Sequence, residues 1–231
     1  MNKLVNWFKK EYIKGWTWFD YTFLFGLLAT QTVVCFFLVD SNLSLGWNIF
    51  SMVASFIGTL ATIICAKGKM SYYLWGFIQT IMFLILNVYM KLWVESAEQV
   101  YYLITMIIGV FIWKKNISKK SEVVKGKKLN IKQLILTIVS LAVASIGVYI
   151  LDKFVLNGNQ PLLDTMSLSI AIIANILCSF CYKEQWILWF VLDIVQTIMY
   201  FAVGNYVLAI MYVGWTVNCL YGWYQWSKEG K

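Results

Sequence analysis

The chain has 231 residues, of which 61% are hydrophobic and only 13% are charged, and its mean hydropathy is +0.70. A water-soluble domain carries nearer a quarter charged residues, so the composition predicts an integral membrane protein. The chain has no His and no Arg, which excludes a bis-His haem, a His-containing zinc site and His-based acid–base catalysis. The net charge of +8 would suit nucleic acid, but the lysines lie between apolar stretches, so we expect them to set membrane topology and expect no nucleic-acid partner.

The N-terminal residues 1–17 mix Lys with Trp, Tyr and Phe, which predicts an interfacial segment retained as an anchor. Apolar stretches close to the ~20 residues of a bilayer crossing follow it. Strand alternation is absent and a span must satisfy its own backbone, so these stretches should be helices. The eight predicted spans are Phe19–Val39, Gly46–Ala66, Ser71–Lys91, Val100–Lys114, Lys132–Leu151, Leu162–Tyr182, Gln185–Val203 and Tyr206–Trp226.

The lysines support an even number of crossings. With the N-terminus inside, 17 of the 19 lysines fall on the inner side, and only Lys91 and Lys153 lie outside. The positive-inside rule then places both termini in the cytoplasm. The one long polar linker, residues 116–131, is rich in Lys and should be a solvated cytoplasmic loop near anionic headgroups.

An internal repeat organises the spans. The sequence QTIMF at 79–83 recurs as QTIMY at 196–200, an offset of 117 residues. That offset also pairs Tyr72 with Trp189, Gly76 with Asp193 and Gly58 with Asn175. After a four-residue shift, further pairs are Gln99 with Tyr212, Tyr102 with Trp215, Thr105 with Asn218, Gly109 with Gly222 and Trp113 with Trp226.

The repeat predicts an all-α membrane protein with two parallel three-helix units joined by a linker helix, a 3+1+3 plan, plus one N-terminal helix. The expected segments are the extra helix at 18–40, the first unit at 46–115, the Lys-rich loop at 116–131, the linker helix at 132–152 and the second unit at 162–227. Four crossings separate equivalent helices, so the units are related by an axis along the membrane normal. Such parallel repeats are a transporter architecture with the substrate between the halves.

Polar and aromatic side chains gather on matching helices. Trp186, Trp189, Asp193 and Gln196 follow one another at spacings of 3, 4 and 3, which puts them on one stripe of a helix. An acid in hydrocarbon costs a few kcal/mol, so Asp193 should face a partner or a wet cavity. The candidate substrate-binding residues are Gln79, Asn87, Gln99, Tyr102, Trp186, Trp189, Asp193, Gln196, Tyr212, Trp215 and Asn218.

These residue types suit a polar, aromatic solute. Trp and Tyr rings can sandwich a flat heterocycle, and a cationic ring gains about 0.5–2 kcal/mol of cation–π energy. Gln and Asn amides both donate and accept hydrogen bonds, so they can bind a carboxamide and ribose hydroxyls. Asp193 could balance a positive ring.

Structural roles compete with these interpretations. Gln79 and Gln196 could join helices to one another, and Asp193 could be a structural acid bonded to a neighbouring helix. Glu95 and Glu98 should be solvated in an outer loop or at the start of a span. Seven tryptophans near span ends should form an interfacial belt: Trp16, Trp18, Trp47, Trp93, Trp113, Trp223 and Trp226.

Few features point to catalysis. The lone Cys178-x-x-Cys181 pair has no second pair to complete a metal site, and no Gly-rich phosphate loop with Lys and Ser/Thr is present. We therefore expect no metal, no cofactor and no enzyme activity. A membrane head-group transferase and a small-molecule sensor or channel remain as alternative classes.

The chain resembles the PnuC family of bacterial vitamin-precursor transporters over about residues 20–228. The resemblance is carried by AKGKMSYYLWGFIQTIMF at 66–83, the turn at 91–95, Tyr101-Tyr102, Gly109, WKKN at 113–116, Trp186-x-x-Trp189-x-x-x-Asp193 and Tyr221-Gly222-x-x-x-Trp226. It implies a nicotinamide riboside carrier of the bacterial inner membrane, with a helix plan similar to the SWEET sugar transporters.

The resemblance also implies facilitated diffusion that a cytoplasmic kinase makes one-way by phosphorylating the substrate. Similar relatives carry thiamine or riboflavin, and the spacing of these motifs does not distinguish the three vitamins. Membrane carriers of this size often form homo-oligomers, on which the sequence is silent.

Overall fold

A computed structural model describes residues 2–37, 44–119, 121–151, 153–154 and 161–229. Over these ranges the chain is helical, with two isolated β-bridges in place of strands. The helices are α1 (Asn2–Tyr12), α2 (Trp18–Phe37), α3 (Leu45–Ala66), α4 (Tyr72–Tyr89), α5 (Trp93–Asn116), α6 (Ile131–Leu151), α7 (Pro161–Ser179), α8 (Gln185–Ala202) and α9 (Tyr206–Glu229). The all-α prediction is therefore confirmed.

Most predicted spans agree with the helices to within a few residues, but the fourth does not. It was expected to begin at Val100, whereas α5 begins at Trp93. Two acids in its first turns, Glu95 and Glu98, lower the local hydropathy, and both are buried inside the protein. The prediction that they are solvated is wrong, because the bundle shields this polar start of the helix. The ends of the predicted segments 18–40 and 132–152, residues 38–40 and 152, lie outside the described residues.

Six helices in the described part of the chain have the length and hydropathy of a membrane span: α2, α3, α4, α5, α6 and α8. Over its described side chains α7 is a shorter apolar helix, Thr165–Ser179. Helix α9 is rich in Tyr and Trp and ends in polar residues, so its hydropathy is lower despite its length.

Six helices form a closed ring. Going round it, α3 contacts α4, α4 contacts α5, α5 contacts α7, α7 contacts α8, α8 contacts α9, and α9 returns to α3. Helix α2 packs outside the ring against α3 and α9, and α6 packs outside it against α7. The ring thus consists of two consecutive triplets, α3–α5 and α7–α9, with α6 between them in the chain.

The helix bounds of the two triplets recur at a single offset. The ends of α3, α4 and α5 precede those of α7, α8 and α9 by 113 residues, as do the starts of α4 and α5 relative to α8 and α9. Residues with positive φ after helices recur likewise, Gly68 with Cys181 and Lys91 with Gly204. The QTIMF match at 117 is therefore four residues, about one helical turn, out of register with the helices.

Two buried clusters lie at opposite ends of the ring. The turns 67–71 and 180–184, the linker 117–130 and the end of α9 meet at one end, which we call the lysine-rich end. The cluster near it contains Cys65, Tyr73, Trp113, Trp186 and Trp226. The cluster near the opposite end contains Phe83, Leu86, Met199, Tyr200, Leu208, Met211, Tyr212 and Trp215.

Candidate functional site

A cavity of about 90 Å³ lies inside the ring, between the two buried clusters. Its walls come from all six ring helices, which explains why residues far apart in sequence meet there. Nine of the eleven candidate residues line it: Gln79, Gln99, Tyr102, Trp186, Trp189, Asp193, Tyr212, Trp215 and Asn218.

Three indole rings supply aromatic surface to the cavity. Trp186 and Trp189 lie on α8, and Trp189 is inclined against Tyr102 with the ring centroids 6.1 Å apart. Trp215 on α9 packs edge-on against Tyr212 at 4.9 Å and stacks with Phe83 at 6.3 Å. Within the described residues, the indole N–H groups of Trp186 and Trp215 have no hydrogen-bond acceptor. Such buried donors are costly unless a further partner is bound.

Gly58 gives Trp215 and Gln79 their room. A Cβ at this position would lie 2.7 Å from Trp215 Cζ2 and 3.2 Å from Gln79 Cδ, closer than carbon atoms pack without strain. A glycine on α3 therefore lets an aromatic ring and an amide approach the backbone at the cavity wall.

Four amide side chains face the cavity: Gln79, Gln99, Asn175 and Asn218. Asn218 donates to the Thr62 carbonyl at 3.1 Å, while its own oxygen and that of Asn175 lack a donor among the described residues. The side-chain amides of Gln79 and Gln99 have no hydrogen bond to the described part of the chain. Hydrogen-bonding capacity is thus left over on both sides of the ring.

Two carboxyl groups line the cavity as well. Asp193 accepts a hydrogen bond from the Cys219 thiol at 3.2 Å, and no lysine of the described residues lies within salt-bridge distance of it. Glu98 is 3% exposed and accepts from Ser167 at 3.2 Å. Both acids lack a cationic partner in the described chain, so a positively charged ligand would provide one.

The structure places the other two candidates behind the wall. Gln196 donates to Ser167, which joins it to Glu98, so it supports the cavity from the second row of side chains. Asn87 is fully buried in the cluster at the opposite end and accepts from the Tyr200 hydroxyl at 2.9 Å. Asn87 and Tyr200 occupy equivalent positions of α4 and α8, 113 residues apart.

Sequence reasoning missed several residues of the wall. Glu98 was assigned to solvent because it precedes the apolar part of α5, and Asn175 was noted only as the repeat partner of a glycine. Thr62 and Met106 carry no pattern that distinguishes them from packing residues. A helical-wheel search of α5 starting at Trp93 would have placed Glu98 beside Tyr102, four residues on.

The described residues provide no group of three or more His, Cys, Asp or Glu side chains that could hold a metal ion, and all five cysteines are free and buried. The cavity combines aromatic rings for stacking, amides with unused hydrogen-bonding atoms and two acids without a cationic partner in the described chain. It can bind an aromatic, hydrogen-bonding cation.

Known proteins share this arrangement. A family model described as nicotinamide mononucleotide transporter matches residues 48–228. The nicotinamide riboside transporter PnuC of Neisseria mucosa is 32% identical, with 96% of this chain and 86% of the relative covered. Its namesake from Haemophilus influenzae is 28% identical, with 95% and 94% covered.

A solved structure is similar as well. The crystal structure of the vitamin B3 transporter PnuC superposes with a TM-score of 0.83 at 30% identity, covering 98% of this chain and 97% of that one. The family model covers the two helix triplets except for their outermost ends, and it includes every residue of the cavity wall. The chain therefore belongs to the PnuC family of membrane transporters.

Proposed function

We propose that the protein carries nicotinamide riboside across the bacterial inner membrane by facilitated diffusion, using the central cavity as its substrate site. The observation that carries this proposal is that three tryptophans, four amides and two acids without a cationic partner line one cavity inside the ring. The similar proteins named above are nicotinamide riboside transporters.

The chemistry of nicotinamide riboside matches this wall. Its pyridinium ring is flat and cationic, so stacking on Trp189 or Trp215 gains cation–π energy, about 2 kcal/mol in a desolvated site. Asp193 and Glu98 balance the positive charge. The carboxamide and ribose hydroxyls both donate and accept, as do Gln79, Gln99 and the other cavity amides.

The two helix triplets act as repeats in this proposal. The proposed fold has eight crossings, seven in the 3+1+3 plan and one from α2. The two triplets are related by a pseudo-twofold axis along the membrane normal. The constant offset of 113 residues between helix bounds supports this arrangement, and so does the ring order in which α3, α4 and α5 lie opposite α7, α8 and α9. Rocking of the triplets about the cavity would expose the substrate to each side in turn.

The lysine-rich end faces the cytoplasm in this account, with both termini inside, because lysines concentrate on inner segments. Uptake becomes one-way when a cytoplasmic kinase phosphorylates the solute. In this proposal transport runs down the substrate gradient without a coupled ion. The protein is a carrier and not an enzyme, and homo-oligomers are compatible with the exposed apolar sides of α2 and α6.

The two acids of the cavity distinguish the related vitamins by their charge. Thiamine also carries a cationic ring, so it is the nearer alternative substrate, whereas riboflavin is neutral and leaves Asp193 and Glu98 without a counter-charge. A sensor would bind the same solutes without moving them.

Counterflow in liposomes tests the proposal. Purified protein should exchange labelled nicotinamide riboside against unlabelled solute, saturably and without an imposed ion gradient. Exchange of thiamine or riboflavin instead would change the vitamin and keep the mechanism. Binding without exchange would indicate a sensor, and neither binding nor exchange by folded protein would overturn the carrier proposal.

A further inference from the structure

Two tryptophans join the helix triplets to one another at the lysine-rich end. The Trp113 indole N–H on α5 donates to the Cys178 carbonyl on α7 at 2.9 Å. The Trp226 indole N–H on α9 donates to the Cys65 carbonyl on α3 at 3.1 Å. Each triplet thus sends a tryptophan from its last helix to the end of the first helix of the other triplet.

The two hydrogen bonds are equivalent under the offset of 113 residues, which relates Trp113 to Trp226 and Cys65 to Cys178. Their packing is also equivalent. Trp113 meets Tyr73 edge-on, and Trp226 meets Trp186 edge-on, at 5.1 and 5.9 Å. The two indoles themselves are 5.6 Å apart at 62°. We call this reciprocal pair the tryptophan clasp.

The clasp is buried and lies between the cavity and the lysine-rich end. Trp113 is 0% and Trp226 is 2% exposed, so the expectation that both belong to an interfacial belt is wrong. The two indole rings close this end of the cavity, between the lysine-rich end and the cavity residues Trp186 and Cys65. Buried indole N–H groups need partners, and within the described chain the acceptors of these two belong to the other triplet.

The linker after α5 reinforces the clasp. Val124 N donates to the Gly68 carbonyl in the first triplet at 2.9 Å, and Lys127 N donates to the Cys181 carbonyl in the second at 2.7 Å. Between them Gly126 lies directly on the backbone of Trp226, where a Cβ would be 2.5 Å from the carbonyl oxygen. Residues 124–127, which we call the strap, therefore connect both triplets on the lysine-rich side of the clasp.

We propose that the tryptophan clasp and its strap are the gate at the lysine-rich end of the carrier, and that both cross-triplet hydrogen bonds must break before the cavity opens there. A rocking motion of the triplets separates Trp113 from Cys178 and Trp226 from Cys65 together, because the two contacts are equivalent. The inference rests on the proposed carrier function for its meaning, but the opening itself can be measured without any substrate.

Two native cysteines report the opening. Cys65 and Cys219 line the cavity beneath the clasp and are buried. A charged, membrane-impermeant methanethiosulfonate should modify them only when a gate opens, and mass spectrometry identifies the modified residue. The reagent is added to inside-out and to right-side-out membrane vesicles, so that access from each face is measured separately.

Trp113→Phe and Trp226→Phe keep an aromatic ring and remove one indole N–H each. Each should raise the modification rate of Cys219 about 2- to 10-fold, the net worth of one hydrogen bond, and from one membrane face only. Trp93→Phe is the matched control, since Trp93 is 57% exposed at the opposite end of the ring, and its rate should equal that of the unaltered protein.

Gly126→Ala tests the gate by a different perturbation. The added methyl group displaces the strap from Trp226 and should also raise the modification rate, whereas Gly147→Ala, with no atom within 4 Å of the new Cβ, should not. Rates that stay unchanged in the Phe variants and in Gly126→Ala, or that rise equally from both faces, would overturn the proposal. A failure of counterflow with these rates confirmed would refute the carrier function and leave the gate standing.

Discussion

Lys67→Met should destabilise the protein by about 3 kcal/mol, because it leaves a buried carboxylate without its cation. Lys67, just after α3, approaches Asp20 on α2 to 2.6 Å, and their side chains are 5% and 0% exposed. The Tyr221 hydroxyl on α9 donates to Asp20 at 2.7 Å and accepts from Lys67 at 3.0 Å. This cluster is one of the polar attachments of α2 to the ring, beside the hydrogen bonds of Gln31 to Thr59 and Ser55 on α3.

The magnitude differs between the two partners. After Lys67→Met, Asp20 still accepts from Tyr221 and from the Thr17 amide and hydroxyl, so the loss should be near the lower end of the 3–5 kcal/mol range for broken buried pairs. After Asp20→Ala, the Lys67 ammonium keeps the Tyr221 hydroxyl and the Trp16 ring at 5.9 Å but no carboxylate among the described residues, which places the loss near the upper end. The double variant should lose at least about 2 kcal/mol less than the sum of the singles.

Thermal unfolding in detergent is the assay. For a chain of this size about 3 kcal/mol corresponds to a Tm lowered by about 6–12 °C. Lys9→Met, at an exposed lysine of α1, is the control and should change Tm little. Single variants within 2 °C of the unaltered protein, or strictly additive shifts in the double variant, would refute this reasoning.

Three further outcomes follow from the site and its surroundings. Gly58→Ala should push Trp215 into the cavity at an overpacking cost of about 1–3 kcal/mol and weaken substrate binding measured by calorimetry. The control Gly26→Ala, whose added Cβ meets no atom within 4 Å, should bind substrate like the unaltered protein, and equal affinities of the two variants would contradict this. Asp193→Asn should abolish most uptake in counterflow while the Tm stays near that of the unaltered protein, and retained uptake would remove the acid from the site. Burial lowers the pKa of Lys69 below 10.5, so between the lowered value and 10.5 the unfolded chain binds more protons than the folded one and stability rises with pH. The Tm of the unaltered protein relative to that of Lys69→Met should therefore increase as the pH approaches 10.5, and a constant difference between the two Tm values would contradict this.

Helical periodicity explains how much of the site the sequence could predict. Trp186, Trp189 and Asp193 recur on one side of α8, and an acid among apolar residues indicates that this side faces the protein interior. Periodicity does not say what lies opposite a given turn. Gln196 belongs to the same stripe, but Ser167 of α7 covers it and separates it from the cavity.

The position of a site residue along its helix was harder to predict than the side of the helix on which it lies. Asn87 lies one turn beyond Phe83, about 6 Å further from the cavity, where it meets Tyr200. Glu98 was misplaced because hydropathy penalises any acid, whether it faces water or a polar cavity. The tryptophans at the ends of α5 and α9 were misplaced because membrane belts and interior contacts select the same residue type.

The register of the repeat could not be derived from its most similar segment. QTIMF and QTIMY agree letter by letter at an offset of 117, while the helix ends and the clasp agree at 113. Apolar identities recur once per turn in any membrane helix, so a match displaced by four residues keeps the same face. The positive-φ residues after the helices carry the 113-residue register, but only one member of each pair, Gly68 or Gly204, is a glycine that the sequence could reveal.

Calorimetric binding of nicotinamide riboside to purified protein tests most directly the claim that the cavity is the substrate site. The unaltered protein and Trp93→Ala, which loses an exposed indole, should bind with the same affinity. Trp215→Ala should bind about 30-fold more weakly, since a desolvated cation–π contact is worth about 2 kcal/mol, and Trp215→Phe should fall between them. Unchanged affinity in Trp215→Ala, with folding intact, would contradict the account.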